Sequence, residues 1–244
     1  MEYFYFRKVS RDDPLMEEIF RLRYKVYIDE WGFEKPEDHP DGLEHDSFDD
    51  NSVHFAAIDR KQGKLIGTVR IILESPRGFP IQHHCTIDQE LQRRVAAKTP
   101  DVSRSRYGEI SRLAVSKDYR RRSLDDLILD GQYYDDVERL IAQREANIAE
   151  AGYVSVERRR QQDTAIVMGL YRCLCMASRE LQLTHWYVVM ARGLHVLLKR
   201  TGFFFEPIGP EKEYHGIRRP YLGYLQETLR GIPELYQLYT GEGL

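Results

Sequence analysis

The alternation of apolar and polar residues predicts that the chain begins with a strand followed by an amphipathic helix. Residues 3–9 are aromatic and β-branched, which is typical of a strand. Pro14 provides a helix-start signal, and apolar residues then recur at helical spacing from 15 to 26. Residues 31–50 are polar, rich in acids and interrupted by prolines and glycines, which predicts a long irregular loop.

Short apolar runs dominate the rest of the pattern. Two of them, 53–59 and 64–73, flank a glycine-containing turn and predict a β-hairpin. A further strand is predicted over 107–116, after a polar segment. The last predicted elements are a long buried helix at 165–181, a strand at 184–190, a short helix at 193–200 ended by Gly202, and a strand at 203–208. We expect residues 209–244 to form a looser carboxyl-terminal extension.

This order of elements predicts a single α/β (α+β) domain that spans residues 1–244. Consecutive hairpin strands followed by a strand–helix–strand unit favour a mixed, mostly antiparallel sheet flanked by helices over regular βαβ alternation. Residues 124–163 interrupt this domain, because the stretch from Leu124 to Glu157 contains nine acidic and two basic residues, with apolar residues at irregular helical spacing. We therefore expect an inserted helical arm there.

Composition excludes several function classes. The 244 residues include 36 Lys plus Arg and 39 Asp plus Glu, and the resulting net charge of −3 argues against a dedicated nucleic-acid binder. The sequence contains neither an apolar stretch long enough for a transmembrane segment nor a secretory signal at its start, so we expect a cytoplasmic protein. Its three cysteines lack the spacing of metal ligands, so we expect no metal site. We also expect no tightly bound cofactor.

Charged residues inside the predicted strands are the first candidates for chemistry. Arg70 lies in the second hairpin strand, and Glu109, Ser111 and Arg112 lie in the following one. Strand alternation predicts that Glu109 and Ser111 share one face and that Arg112 points to the other. A charge inside a sheet must be paired, and the loop acids at 44–50 are available. Two interpretations stay open: an ion-pair network that fixes the loop to the sheet, and a substrate pocket in which Glu109 is a general base for an amine.

Five segments, in this order, resemble one protein family: LRYKVYIDEWGF, EHDSFDD, GTVRI, EISRLAVS and HWYVVMARGLHVLLKRTGF. They are similar to the acyl-homoserine-lactone synthases and their relatives, the N-acyl amino acid synthases, over about residues 4–210. The resemblance is closest to acyltransferases associated with the PEP-CTERM/exosortase system, which share the long insertion after Arg122 and a tail like YHGIRRPY. It implies the GNAT-like acyltransferase fold.

The resemblance also implies individual roles. Glu109 and Ser111 would belong to the catalytic strand, with the glutamate as the candidate base. Tyr27 and Phe33 stand where the lactone synthases usually have Phe and Trp, which favours an amino-acid acceptor over S-adenosylmethionine. The residues that would order the loop and shape the acceptor site are Arg23, Tyr27, Phe33, Asp46, Asp49, Arg70 and Arg112.

The donor side is predicted to bind an acyl-phosphopantetheine thioester. The position where coenzyme A-dependent relatives cradle the pyrophosphate reads 119–123 without a glycine, which favours acyl carrier protein over acyl-CoA as the partner. The residues expected to bind the carrier are Arg120, Arg121, Arg122, Arg158, Arg159, Arg160, Lys199 and Arg200; the alternative is that the arginine runs only neutralise the acidic arm. The residues expected to line the acyl pocket are Leu170, Leu174, Trp186, Val188, Val189 and Met190; the alternative for each is core packing.

The sequence therefore predicts an N-acyltransferase that moves a fatty acyl group from a carrier thioester to the amine of a small acceptor. In this mechanism backbone N–H groups near Val188 and Val189 hold the oxyanion. One alternative is an acyl-homoserine-lactone synthase that uses S-adenosylmethionine. The alternative from another class is a non-catalytic acyl-binding or regulatory module.

Overall fold

The computed structural model describes residues 3–98, 105–119 and 153–240. Its strands are β1 (Phe4–Val9), β2 (Ser52–Asp59), β3 (Leu65–Leu73), β4 (Tyr107–Val115), β5 (His185–Met190), β6 (Phe205–Pro207), β7 (Lys212–Glu213) and β8 (Ile217–Tyr224). Its α-helices are α1 (Leu15–Tyr24), α2 (Pro80–His84), α3 (Gln89–Ala96), α4 (Tyr153–Glu180), α5 (Arg192–Arg200), α6 (Leu225–Gly231) and α7 (Pro233–Thr240). A π-helical turn, Lys25–Glu30, continues α1.

The strands form one sheet in the order β1-β2-β3-β4-β5-β8-β6, with β7 paired to β8. Every pairing is antiparallel except that of β4 with β5, which is parallel. This confirms the predicted mixed, mostly antiparallel sheet. The predicted amino-terminal strand and helix, the hairpin, the strand at 107–116 and the β5–α5 unit are all present within a few residues of their expected bounds.

Helices cover both faces of this sheet because its central strands bury both sets of side chains. On β2, Ala56 and Ile58 pack in one cluster with the apolar face of α1, and Phe55 and Ala57 pack in another with α4. The period of two along the strand thus divides the core into two layers. In α4, Gly169 allows close contact, because an added Cβ would lie 2.1 Å from the ring of Phe6.

The sheet opens between its two parallel strands. The β4–β5 ladder ends at Ile110 and Val188, although β4 continues to Val115 and β5 to Met190. A β-bulge lies at the same place, because β3 advances two residues from Thr68 to Arg70 while β4 advances three. A bulge increases the local bend and twist of its strand, which turns the end of β4 away from β5. The result is a cleft between the two strands.

Three parts of the sequence prediction need comment. The expectation of a loose extension from 209 is wrong, because β8 lies between β5 and β6 in the sheet. The polar segment before β4 contains two helices, α2 and α3, which the pattern did not predict. Residues 124–152 of the predicted arm lie outside the described residues, whereas 153–163 form the first turns of α4.

Candidate functional site

A cavity of about 710 Å³ occupies the cleft between β4 and β5. Its walls come from the loop after α1, from β4 and β5, from α4 and the start of α5, and from the hairpin formed by β7 and β8. Glu109, Ser111 and Arg112 line it from β4, and Arg70 lines it from β3. The structure thus brings the charged strand residues predicted from the sequence into one chamber.

Arg23 of α1 lies in the buried ion-pair network next to this chamber. Its side chain is 1% exposed, and that of Glu44 is 0% exposed. The Arg23 Nε donates to Glu44 at 2.5 Å, and its two terminal nitrogens donate to Asp49 at 2.7 and 3.1 Å. The fork of a guanidinium matches a carboxylate in this bidentate geometry. Arg23 therefore ties the first helix to both ends of the acidic loop segment.

Arg70 and Arg112 bind the same loop from the sheet. Arg70 donates to Asp46 at 2.7 and 2.8 Å, to Asp49 at 2.5 Å and to the Ser111 hydroxyl at 2.8 Å. The backbone N–H of Asp46 donates to the Asp49 carboxylate at 2.8 Å, so a short turn holds the two acids side by side. Arg112 binds three acids of the loop: Glu34 and Glu44, each at 3.0 Å, and Asp46 at 3.3 Å.

Burial and ion pairing oppose each other in this network, and ion pairing prevails. Burial alone would raise the pKa of Asp49, but Arg23 and Arg70 hold that pKa well below its usual range. Burial alone would likewise raise the pKa of Glu44, but Arg112 and Arg23 lower it. The carboxylates are therefore charged at neutral pH, and the loop is fixed to the sheet as one of the two sequence interpretations proposed.

The structure corrects one prediction about β4. Strand alternation predicted that Arg112 would point away from Glu109 and Ser111. Instead, Arg112 binds Asp46, the same aspartate that is bound by Arg70, which also donates to the Ser111 hydroxyl. The cause is the bulge, in which Arg112 adopts a φ of +53° and interrupts the alternation. The Tyr27 hydroxyl donates to the carbonyl of Leu113 at 2.9 Å and holds this irregular backbone in place.

Glu109 differs from the loop acids. It is 3% exposed, and it accepts a hydrogen bond from the backbone N–H of Ile81 at 2.9 Å. Within the described part of the chain no ion pair reaches it. Burial raises the pKa of Glu109 to about 7, although the Ile81 N–H and the charges of Arg70 and Arg112 act against the rise. A carboxylate with a pKa near neutrality, in a cavity wall, has the properties of a general base.

The cavity is apolar on the side of β5 and α4. Val188, Val189 and Met190, three of the residues predicted to line an acyl pocket, line this cavity. Of the described residues on α4, Val167 and Tyr171 form its wall. The other three predicted pocket residues, Leu170, Leu174 and Trp186, are 0% exposed and pack in the core cluster beneath that wall. These three residues therefore pack in the core, which is the alternative that the sequence left open for each of them, and an acyl pocket at this cavity stays a prediction.

Aromatic residues surround the opposite side of the cavity. Phe33 packs against Trp31, with ring centroids 5.2 Å apart, and against His215 of the β7–β8 connection, at 5.1 Å. Tyr214 stacks on His84 at 5.2 Å. The sequence pattern did not indicate the site residues of the last hairpin, Tyr214, His215 and Arg218, or Glu34 of the network, whereas Glu44 belongs to the acidic run at 44–50 that was expected to pair with the strand charges. The one sequence signal for the hairpin residues was the YHGIRRPY segment, which entered only as part of the family resemblance.

The predicted carrier-binding residues are only partly described. Arg120, Arg121 and Arg122 lie outside the described residues, as do the side chains of Arg158, Arg159 and Arg160 in the first turns of α4. Lys199 and Arg200 are exposed at the end of α5, the helix whose Leu194 lines the cavity. A carrier interaction stays a prediction. Among the described residues, no helix is long and apolar enough to cross a membrane, and no cluster of potential ligands is suited to a metal ion.

The chain is similar to known acyltransferases. The sequence model of a family described as an acetyltransferase (GNAT) domain matches residues 22–130. No curated protein matches the chain. The predicted link to PEP-CTERM/exosortase-associated acyltransferases is not tested by these comparisons and stays a prediction.

Solved structures with the same fold cover nearly the whole chain. The AHL synthase LasI matches with a TM-score of 0.57 and 16% identity, over 94% of this chain and 94% of its own. The CoA-dependent acyl-homoserine lactone synthase BjaI matches with a TM-score of 0.58 and 15% identity, over 97% of this chain and 90% of its own. FeeM, an N-acyl amino acid synthase from uncultured soil microbes, matches with a TM-score of 0.53 and 15% identity, over 96% of each chain. The chain therefore has the GNAT-like fold that the acyl-homoserine lactone synthases and this N-acyl amino acid synthase share.

Proposed function

We propose that this protein is an N-acyltransferase that moves a fatty acyl group from an acyl-phosphopantetheine thioester to the amine of a small acceptor, an amino acid. The observation that carries the proposal is Glu109, a buried carboxylate with a pKa near 7 in the wall of a cavity that is apolar on one side and polar on the other. The chemistry of the walls matches a fatty chain on the β5 side and a polar amine on the loop side.

The reaction requires only one proton acceptor from the protein. Glu109 removes a proton from the acceptor amine, directly or through a water molecule, and the amine nitrogen attacks the thioester carbonyl carbon. The new C–N bond forms a tetrahedral intermediate, and backbone N–H groups of β5 beyond the end of its ladder with β4 support its oxyanion. Cleavage of the C–S bond releases the thiolate, which takes up a proton, and Glu109 loses its own proton to solvent. No covalent enzyme intermediate is formed.

Two features favour an amino acid over S-adenosylmethionine, which is bound in the structure of BjaI. The aromatic positions of the acceptor side hold Tyr27 and Phe33, and each ring already faces a guanidinium of this chain: that of Arg112 at 5.5 Å and that of Arg218 at 5.8 Å. For the donor, acyl carrier protein is our first choice because of the segment at 119–123, which lacks glycine. Acyl-CoA, the donor bound to BjaI, is the second choice.

The test is acyl transfer by the purified protein, followed by mass spectrometry of the products. Acyl carrier proteins and coenzyme A loaded with the same long acyl chains are each incubated with the twenty amino acids and, separately, with S-adenosylmethionine. We expect N-acyl amino acids. An acyl-homoserine lactone as the main product would instead identify a lactone synthase, and the absence of any product with either donor would leave a non-catalytic acyl-binding module.

Glu109→Gln tests the assigned base. Glutamine keeps the shape and an oxygen that accepts from the Ile81 N–H, but it cannot take up a proton, so we expect kcat to fall about 10²- to 10⁴-fold. Glu74→Gln is the matched control, since Glu74 is exposed just after β3. If Glu109→Gln transfers the acyl group as fast as the native protein, the assignment is wrong.

A further inference from the structure

The cavity passes through the sheet where β4 and β5 separate. Ile110 and Val188, the last pair of their ladder, pack in the core cluster beneath α4. Glu109 lies on the other face, because its partners on the neighbouring strands, Ile72 and Tyr187, belong to the cluster on that face. Residues of both faces line the cavity. The sheet therefore divides the cavity into an α4 side and the side on which Glu109 lies.

Tyr171 of α4 contributes a hydroxyl to the α4 side. The residue is 1% exposed, and its ring makes an edge-to-face contact with Phe203, with centroids 4.6 Å apart. In the described part of the chain its hydroxyl makes no hydrogen bond. The hydroxyl is also not one of the polar atoms of the described residues that are sealed off without a partner, so it reaches the surface of the cavity. Tyr171 thus presents an unpaired hydroxyl to a ligand.

The surroundings of this hydroxyl are apolar. The same side of the cavity is lined by Val167, Val188, Met190 and Leu194. Removing a hydroxyl from water without a hydrogen bond is unfavourable, and a plain hydrocarbon chain in the cavity would do this to Tyr171. A chain that carries one oxygen would instead give the hydroxyl a partner, since its O–H can donate to a carbonyl or hydroxyl oxygen.

The number of polar side chains on this side favours the acyl chain over the phosphopantetheine arm as the partner of Tyr171. The arm has two amides and a hydroxyl, so a wall that holds it should offer several hydrogen-bonding groups. Among the described residues on the α4 side, the Tyr119 hydroxyl already donates to Asp59 at 2.7 Å, which leaves the Tyr171 hydroxyl. One hydroxyl in an apolar wall matches one oxygen on a hydrocarbon chain.

We propose that Tyr171 is a specificity-determining residue that selects acyl donors whose chain carries one oxygen substituent, a hydroxyl or a keto group, by donating a hydrogen bond to that oxygen. This inference rests on the proposed function and names the class of acyl chain that is transferred. No bond forms or breaks at Tyr171. Burial raises the pKa of its phenol, so the hydroxyl keeps its proton and remains a donor.

The experiment measures kcat/KM for acyl thioesters of one chain length that differ only in the oxygen. The set contains the saturated chain and chains with a hydroxyl or a keto group near the thioester, at mid-chain or at the far end, each loaded on acyl carrier protein and on coenzyme A. We expect the native protein to prefer one oxygenated chain over the saturated chain by about 10- to 100-fold. Tyr171→Phe should abolish this preference by lowering kcat/KM for the oxygenated chain, and should leave that for the saturated chain within about threefold.

The melting temperature separates this role from a structural one. Because the Tyr171 hydroxyl makes no hydrogen bond within the described protein, Tyr171→Phe should not lower the melting temperature. Tyr224→Phe is the matched control. Tyr224 is 3% exposed, its hydroxyl donates to Gln226 at 2.6 Å, and it is not among the described residues that line the cavity. This variant should lower the melting temperature and leave the preference among chains unchanged.

Three results would overturn the inference. If the native protein transfers saturated and oxygenated chains equally well, the proposed acyltransferase stands but Tyr171 selects no oxygen. If Tyr171→Phe lowers kcat/KM equally for every chain, including the saturated one, the hydroxyl binds the shared phosphopantetheine arm or supports the fold instead. If no thioester of any kind is used, the proposed function fails together with the inference.

Discussion

The buried pair of Arg23 and Glu44 provides the sharpest test of the ion-pair network. We consider Arg23→Gln, which removes one positive charge and keeps a polar side chain of similar reach. The substitution deletes three hydrogen bonds to two carboxylates, one of which, Glu44, is entirely buried. Arg112 still neutralises Glu44 from the other side at 3.0 Å, so the carboxylate loses only part of its compensation.

The expected loss of stability follows from this burial. Removing one partner of a buried ion pair costs about 3–5 kcal/mol, since the remaining charge stays out of water. In a protein of this size each kcal/mol lowers the melting temperature by about 2–4 °C, so we expect a decrease of roughly 6–20 °C. Arg21→Gln on the same helix is the control. Arg21 pairs with Glu17 at 2.6 Å, but both side chains are more than 60% exposed, and the expected cost is at most about 0.5 kcal/mol.

Urea unfolding of the two single variants, of Glu44→Gln and of the double variant Arg23→Gln/Glu44→Gln measures these quantities. We expect the double variant to be more stable than the sum of its single losses predicts, because Glu44→Gln removes the charge that Arg23→Gln leaves unpaired. If Arg23→Gln and Arg21→Gln cost the same, or if the cycle shows no coupling, the network does not stabilise the fold in the way described.

Two further predictions follow from the cavity wall and from the contact between α4 and β1. The kcat/KM of the native protein should rise with pH through about 7, because Glu109 must be ionised to accept a proton. This rising limb of the pH profile should be absent in Glu109→Gln. In Asp46→Asn the limb should move to lower pH, since the Asp46 charge raises the pKa of Glu109. A limb that Asp46→Asn leaves in place or moves upward would contradict this. Gly169→Ala should lower the free energy of unfolding in urea by about 1–2 kcal/mol, because the clash with Phe6 outweighs the roughly 1 kcal/mol that alanine gains in a helix. The loss should shrink in a Phe6→Leu background, and an equal loss there would show that the ring is not the cause.

Local signals predicted much of the fold. The β2–β3 hairpin, β4 and the strand–helix unit β5–α5 each carry their own periodicity and turn residues, so the sequence predicts them without knowledge of their partners. The same holds for Gly202, which ends α5 with a φ of +91°.

β8 escaped prediction because its stability is not local. Its sequence, IRRPYLGY, contains two arginines together with a proline and a glycine, which are uncommon in the interior of strands. The strand forms because β5 and β6 pair with it on both sides. Proline lacks a backbone N–H, but Pro220 is tolerated at this position. Its carbonyl accepts a hydrogen bond from the backbone N–H of Ile208, just past the last residue of β6, and the ladder there needs no further N–H donor from β8.

The candidate site was predicted in composition but not in geometry. Charge in a strand next to acids in a loop is enough to expect the pairs formed by Arg70 with Asp46 and Asp49. The face on which Arg112 lies depends on a single residue in the left-handed region of φ, and neither hydrophobic alternation nor residue type indicates that bulge. Arg218 lines the cavity from β8, so its position in the wall could not be predicted without that strand.

The ion-pair network also affects the pKa of Glu109, the proposed base. Arg70 and Arg112 lower the pKa of Glu109, and Asp46 raises it. If those guanidiniums were unpaired beside the cavity, their charge would hold Glu109 ionised but weakly basic. The loop supplies four acids for three arginines, namely Glu34, Glu44, Asp46 and Asp49 for Arg23, Arg70 and Arg112. The loop acids thereby neutralise most of the positive charge near Glu109, so the loop that forms this wall of the cavity also keeps the pKa of Glu109 in the range that the proposed proton transfer at neutral pH requires.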